Sequence, residues 1–360
     1  MSETRQFPLE LRGLIVAFVV IGLIYAWATP IFEASDELRH FAMVEVIRAT
    51  GELPVQEPDG PETPWHQEGS QPPLYYALVA LLTRPIAFDG LDALREYNPH
   101  AKLGIPGDSD NKNMVLRTDP PLRDAALAVY VGRVFSLLLG AVTVTAVYFS
   151  ARLLAEGRRL VPLVAAGLVV FNPMFLFIAA SVNNDNLVTA LNSVVIYLML
   201  RTLRDGFDTR RSLLIAVLIA FATLSKLSGL VPVPVVALAG LWVGYRRRDL
   251  RGLFILGTAM AVIWAALAGW WYVRNLTLYG ELFGTATMVS IAGPREGAFT
   301  VQTLFDEFEG FRISYWGLFG AVNVFMVQAF YSVMDAVSVL AVLGFLAYVW
   351  QLWRRPFAPE

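Results

Sequence analysis

Two carboxylates and an imidazole stand together in Phe32 to Phe41, FEASDELRHF, where Asp36, Glu37 and His40 fall within about one helical turn. They follow directly on the first long apolar run, at the point where a chain leaving a bilayer meets water. A carboxylate there can act as a general base if an acceptor hydroxyl is held within hydrogen-bond reach, which makes Asp36 the first catalytic candidate and Glu37 the second. Both also have an ordinary role. Ser35 or Asp36 can cap a helix, and an acidic Glu37 in its first turn is favoured by the helix dipole.

The other polar candidates are scattered along the chain. His66 and Glu68 lie two apart in a Pro-rich stretch ahead of Gln71. Together with Asp185 they could bind a divalent cation, since imidazole and carboxylate suit borderline or hard metals, or they are solvated loop groups or substrate contacts. The sequence itself requires no metal. In SVNNDN, Asn184 and Asp185 form a polar turn between two apolar runs. Lys226, in SKLSG, is an ammonium amid apolar residues and must snorkel or find an anion such as a phosphate. Arg274 and Asn275 follow Trp270 and Trp271, where an arginine either belongs to an aromatic belt or clamps a phosphate with two parallel hydrogen bonds.

These residues must be positioned by membrane-spanning helices. Of the 360 residues, 56% are hydrophobic and 16% charged, against roughly 25% charged in soluble domains, and the mean hydropathy is +0.54. There is no cysteine, so disulfides and thiolate metal sites are excluded. Leu14 to Phe32 is long enough to cross a core of about 30 Å and reads as a retained first helix. Further spans are expected over Ala125–Leu154, Pro162–Ala180, Leu187–Leu200, Leu253–Tyr272 and Tyr331–Trp353. Two short or broken spans must share Ser212–Tyr245. Lys226 marks the outer turn between them.

This makes one all-α polytopic membrane domain over residues 1–360, with about eight spans and both termini inside. Arg5 and Arg12, Arg152 to Arg159, Arg201 to Arg211, Arg246 to Arg248, and Arg354 with Arg355 then all face the cytoplasm, as the positive-inside rule requires. Residues 33–124 become an acidic first extracytoplasmic loop. Within it, Leu38, Phe41, Val44 and Ile47 describe an amphipathic helix at the interface, and Pro72–Leu82 is short enough for a re-entrant helix. Residues 273–330, including Glu296, form a second long outer region, with ISYWGLFGAVNVF on the membrane surface. Asp36, Glu37, His40, His66, Glu68, Gln71, Asp185, Lys226 and Arg274 all fall on the outer face, as a site acting on a membrane-borne substrate would need.

The order of these features carries a resemblance. DELRHF after the first helix, QPPLYY, NNDN at the next outer turn, SKLSG and WWYVRNLTLYG together resemble the GT-C superfamily of integral membrane glycosyltransferases, over about residues 20 to 280. Within it the chain is similar to the protein-mannosyltransferase-like branch, glycosyltransferase family 39, and to bacterial relatives of the DUF2142 type. The resemblance implies sugar transfer from a polyprenyl-phosphate donor to a glycan, lipid or protein acceptor at the outer face of the inner (plasma) membrane, in service of the cell envelope. It implies Asp36 as base or acceptor-orienting residue, Asp185 as the second-loop acidic position, and Lys226 and Arg274 near the carrier phosphate. Many relatives have more spans and a soluble C-terminal domain, so acceptor binding is expected to rest on residues 85–124 or on a partner.

Two other classes compete. A transporter or flippase would place ionisable groups near the midplane and show repeated halves, neither of which is evident. A non-catalytic assembly subunit would keep the topology without the chemistry. No Gly-rich phosphate loop or basic nucleic-acid surface is present, so nucleic acids are not expected partners.

Overall fold

The computed structural model describes residues 7–101, 113–116, 118, 120–295 and 297–354. Arg5, Lys102, Lys112, Glu296 and Arg355 lie outside them. Among the described residues the regular structure is helical apart from one small hairpin and an isolated bridge between Tyr97 and Val115. Helix α1 (Leu9–Ala28) is followed by α2 (Glu37–Thr50), a 3₁₀ turn at His66–Ser70, α3 (Leu74–Thr83) and the single turn α4 (Leu91–Leu94). The bundle continues with α5 (Asp124–Leu154), α6 (Leu160–Val170), α7 (Pro173–Ala179), α8 (Asp185–Asp205) and α9 (Thr209–Ser225). A second 3₁₀ turn, Leu227–Leu230, leads into α10 (Pro232–Arg247) and α11 (Leu250–Leu267). Then come α12 (Gly269–Tyr279), α13 (Thr285–Ala292), α14 (Val301–Trp316), the antiparallel strands β1 (Leu318–Phe319) and β2 (Val324–Phe325), and α15 (Gln328–Arg354).

Among the described residues, six helices are long and apolar enough to cross a membrane, or seven if α6 and α7, bent by 62°, count as one span. The bend has a local cause. Asn172 caps the start of α7, its side chain accepting from the Phe175 backbone N–H at 3.0 Å, and Pro173 occupies the first position of α7. Helix α9 falls just short of a span's length, at 17 residues, because two helices and a 3₁₀ turn share the segment around Lys226, the short and broken pair expected over Ser212–Tyr245. Even so, α9 runs from one end of the bundle to the other beside α8: Arg211 approaches Asp205 at one end, and Lys226 meets Asp185 at the other. Arg201, Arg204, Arg211 and Arg247 all bond to the Arg204–Gly206 stretch or its side chains, so the two clusters at 201–211 and 246–248 collect at one end.

At the opposite end, one ion pair organises three elements. Arg133 and Glu37 are both 0% exposed. Arg133 Nε donates to Glu37 Oε1 at 2.8 Å and its Nη2 to Oε2 at 2.5 Å, the bidentate fit of a guanidinium on a carboxylate. The remaining guanidinium hydrogens go to the carbonyls of Ala26, Thr29 and Pro30, groups that the end of α1 leaves without helical partners. Glu37 in turn accepts the backbone N–H of Phe32 and of Val182, at 3.0 and 2.9 Å. The end of α1, the start of α2 and the α7–α8 turn are thereby tied to α5.

Helix α2 does not have the single apolar face expected of it. Leu38 and His40 to Val44 are buried almost without interruption, and the helix packs on α3 and on the His66–Ser70 turn. Nor is Asp36 a side-chain cap: it takes a left-handed backbone, φ 60°, and makes no capping bond. Phe32 is left-handed as well, φ 67°, with its ring buried against Phe41. Both conformations follow from the chain turning tightly enough for Glu37 to reach back to the Phe32 N–H. The 33–124 region is further stapled by Glu33, whose carboxylate accepts the N–H groups of Met114 and Val115 at 2.8 and 3.0 Å. ISYWGLFGAVNVF is the end of α14 plus the hairpin, and it does not lie apart from the first loop. Ser35 Oγ donates to the Gly320 carbonyl at 3.0 Å.

Because removing one member of a buried pair leaves the other charge unpaired, Glu37→Gln is expected to destabilise the protein by about 3–5 kcal/mol. A Glu37→Met, Arg133→Leu double variant is expected to recover part of that loss. Thermal unfolding of the purified variants in detergent checks both; an unchanged midpoint for Glu37→Gln would contradict this role.

Candidate functional site

The His66–Ser70 turn forms a wall of polar groups against α2. His66 has a left-handed backbone, φ 44°, and its Nδ1 contacts Gln67 Oε1. That same Oε1 accepts from Arg39 Nη1 at 3.1 Å, and Gln67 Nε2 donates to Glu68 Oε1 at 3.1 Å. Arg39 also pairs with Asp36 at 3.5 Å. Behind them, Glu68 Oε2 lies 3.4 Å from the Tyr76 hydroxyl and 3.4 Å from His40 Nδ1, while His40 Nδ1 and Tyr76 are 2.8 Å apart. One chain of contacts therefore runs from the half-exposed Asp36, through Arg39 and Gln67, to the buried Glu68, Tyr76 and His40.

Burial sets the charge state of that inner group. Burial, with Asp36 as the next cause and Asp185 a lesser one, pushes the Glu68 carboxyl up to about 7, against the opposing pull of Lys226 and Arg39. Burial, then Lys226 and Arg39, lowers His40 to about 3, so the imidazole is neutral at physiological pH and its contact with Glu68 is not an ion pair. The charges of Asp36, Asp185 and Lys226 are all felt at Glu68, which gathers residues from α2, α8 and the α9–α10 turn around it.

On the far side of the turn, Lys226 Nζ donates to Asp185 Oδ1 at 2.7 Å, with the side chains 26% and 43% exposed. Lys226 is placed by the 3₁₀ turn that follows it, and this turn requires glycine: a Cβ on Gly229 would fall inside the backbone of Ala222 and Thr223. The two partners face different spaces. Lys226, Ser70, Gln71 and Ser228 line a cavity of about 180 Å³ closed by Trp271, Tyr272 and Phe283. Asp185 stands at the rim of an apolar groove of about 570 Å³ between the α6–α7 bend, α14 and α15, lined by Leu168, Phe175, Ile178, Phe311 and Trp316. Asn184 is fully buried, its amide donating to the Ser225 carbonyl at 3.1 Å and more loosely to Gln71 Oε1 at 3.5 Å.

Three expected roles need correcting. Glu37 has both oxygens committed to Arg133, Phe32 and Val182 and is sealed from any substrate, so its part is to hold the start of α2. Arg274 is turned to the Leu53 and Pro54 carbonyls, at 3.3 and 2.7 Å, with its guanidinium over the Trp271 ring, and Asn275 donates to the Leu282 carbonyl. These two fix the loop after α2 and the α12–α13 turn, with no contact to Lys226. The set His66, Glu68 and Asp185 does not converge: His66 turns to Gln67, and Asp185 to Lys226. Among the described residues no group of three or more His, Asp or Glu side chains could hold a metal ion.

Sequence reasoning missed Arg39, Gln67, Tyr76 and Arg133. Arg133 had a signal, since a lone arginine early in an apolar span demands a buried carboxylate. The family comparison bears on the second half of the site. The profile of the family described as predicted membrane protein, DUF2142, matches residues 122–354. The chain belongs to this family. Asp185, Lys226, Arg274 and Asn275 lie within the stretch that defines DUF2142 here, and Asp36 to Gln71 precede it. No curated protein matches the chain.

Opposite titrations meet in this site. Neutral His40 adds stability as pH rises from about 3 to its unfolded value near 6.5, whereas Glu68, protonated in the fold up to about 7, loses stability for the fold as pH rises above its ordinary value near 4.5. Between about pH 4.5 and 6.5 the two slopes oppose each other. Glu68→Gln is expected to leave the His40 slope alone, so that its melting temperature climbs through that window more steeply than the wild type's. Parallel pH profiles of the two proteins would contradict the buried, protonated Glu68.

Proposed function

We propose that this DUF2142 protein is a GT-C-type glycosyltransferase that moves a sugar from a polyprenyl-phosphate carrier to an acceptor at the extracytoplasmic face of the inner membrane. The observation that carries the reading is the junction at Asp185 and Lys226. An apolar groove among the outer helices ends at the carboxylate, and the ammonium bonded to it lines a small, mostly apolar cavity in which Ser70, Gln71 and Ser228 supply the other polar groups. A lipid chain suits the groove, and a phosphate suits Lys226.

In this reading the carrier phosphate replaces Asp185 as the partner of Lys226. The ion pair is partly exposed, and such pairs are worth only about 0–1 kcal/mol, so exchange for a doubly or singly charged phosphate costs little. Lys226 then stabilises the negative charge that gathers on the leaving phosphate as the bond to the anomeric carbon breaks. Asp36, half-exposed and held by Arg39, takes the proton of the attacking acceptor hydroxyl. Glu68, protonated near neutral pH and linked to Asp36 through Gln67 and Arg39, keeps a second negative charge from accumulating beside the base.

The test is turnover of polyprenyl-phosphate sugars by protein reconstituted in vesicles. Asp36→Asn is expected to lower kcat by about 10²–10⁴, the range of a general base, and Lys226→Ala to lower both carrier binding and kcat. Full activity in Asp36→Asn would remove Asp36 as the base. Transport of the carrier across the vesicle, with no transfer in any variant, would favour a flippase.

A further inference from the structure

Arg39 has a second face. On the side away from Glu68 it borders a cavity of about 380 Å³, whose polar lining is Arg39, Glu62, Thr63, His66, Arg95 and Tyr97. Leu38 and Pro64 supply apolar floor. This volume is at the lower end of the roughly 300–1,000 Å³ of small-molecule sites. The cavity adjoins Asp36 through the Asp36–Arg39 pair, and the 3₁₀ turn separates it from the Lys226 cavity, since His66 lines one and Ser70 the other.

Charge decides which ligand class fits. Both arginines already have carboxylate partners: Arg95 reaches Glu45 at 2.8 Å and Asp92 at 3.0 Å, and Arg39 reaches Asp36. Glu62 is exposed and adds a negative charge. Two cations, Arg39 and Arg95, thus stand among four carboxylates, Asp36, Glu45, Asp92 and Glu62, and this formal excess of negative charge disfavours a phosphate or an acidic headgroup, unlike the balanced pair at Lys226. The cavity offers instead N–H donors, a carboxylate acceptor, hydroxyls able to do either, and the ring of Tyr97, 55% exposed and free to cover the C–H face of a pyranose. A lipid tail would find too many polar groups here.

We infer that this cavity is the acceptor subsite and that it takes a neutral carbohydrate, presenting a sugar hydroxyl towards Asp36. The inference rests on the glycosyltransferase reading for the word acceptor, while carbohydrate binding itself can be measured without turnover. The full chain in detergent is titrated with methyl glucoside, methyl mannoside, methyl galactoside and maltose, with saturation-transfer NMR as readout. At least one is expected to bind saturably, at least tenfold more weakly in Tyr97→Ala and in Thr63→Val, and equally in Tyr245→Ala, which lies at the arginine end. Melting temperatures confirm that the variants are folded. No saturable binding by any of the four sugars, or binding that both cavity variants leave unchanged, overturns the inference. Saturable, Tyr97-dependent binding without any transferase activity would uphold the subsite and count against the glycosyltransferase reading. Transfer to lipid or peptide hydroxyls that Tyr97→Ala leaves intact would do the reverse.

Discussion

The site depends on a carboxylate that does no chemistry. Glu37 and Arg133 are sealed together at the end of the bundle, and every polar atom of the pair is matched: the guanidinium by Glu37 and three carbonyls at the end of α1, the carboxylate by Arg133 and two backbone N–H groups. Complete pairing is what makes such burial tolerable, because each unpaired ion would cost several kcal/mol. The consequence is geometric. With Glu37 fixed inward and Phe32 and Asp36 in left-handed conformations, the neighbouring Asp36 side chain is turned outward beside Arg39.

The second ion pair contrasts with the first. Asp185 and Lys226 remain partly exposed and belong to different elements, α8 and the turn after α9, so they can separate without leaving a buried charge. A rigid pair holds the architecture, and in the proposed reading the second pair opens to the carrier phosphate. Between them the His66–Ser70 turn supplies Glu68, whose neutral form near pH 7 tempers an otherwise acidic cluster of Asp36 and Asp185.

Much of the fold was legible in the sequence, because hydropathy and arginine placement are one-dimensional signals. Length even exposed the short pair α9 and α10, because about 34 residues between two arginine clusters leave room for two spans only if both are short and broken near Lys226. Asp185 and Lys226 were legible as residues of adjacent turns on one side of the membrane, but not as partners of each other, because the pairing depends on how α8 and α9 pack. The site was not legible at Glu37, which spacing cannot distinguish from Asp36: the difference lies in a partner 96 positions away. The same applies to Arg274, whose carbonyl partners at Leu53 and Pro54 come from an irregular loop with no pattern of its own.

In the proposed mechanism Lys226 exchanges Asp185 for a carrier phosphate while the lipid chain occupies the groove beside α14 and α15. A cryo-EM structure of the protein in nanodiscs saturated with a polyprenyl phosphate tests it directly. A phosphate is expected within hydrogen-bond distance of Lys226 Nζ, with Asp185 displaced from it and chain density running past Phe311 and Trp316. A saturated complex with the Asp185–Lys226 pair intact and the lipid elsewhere would contradict it.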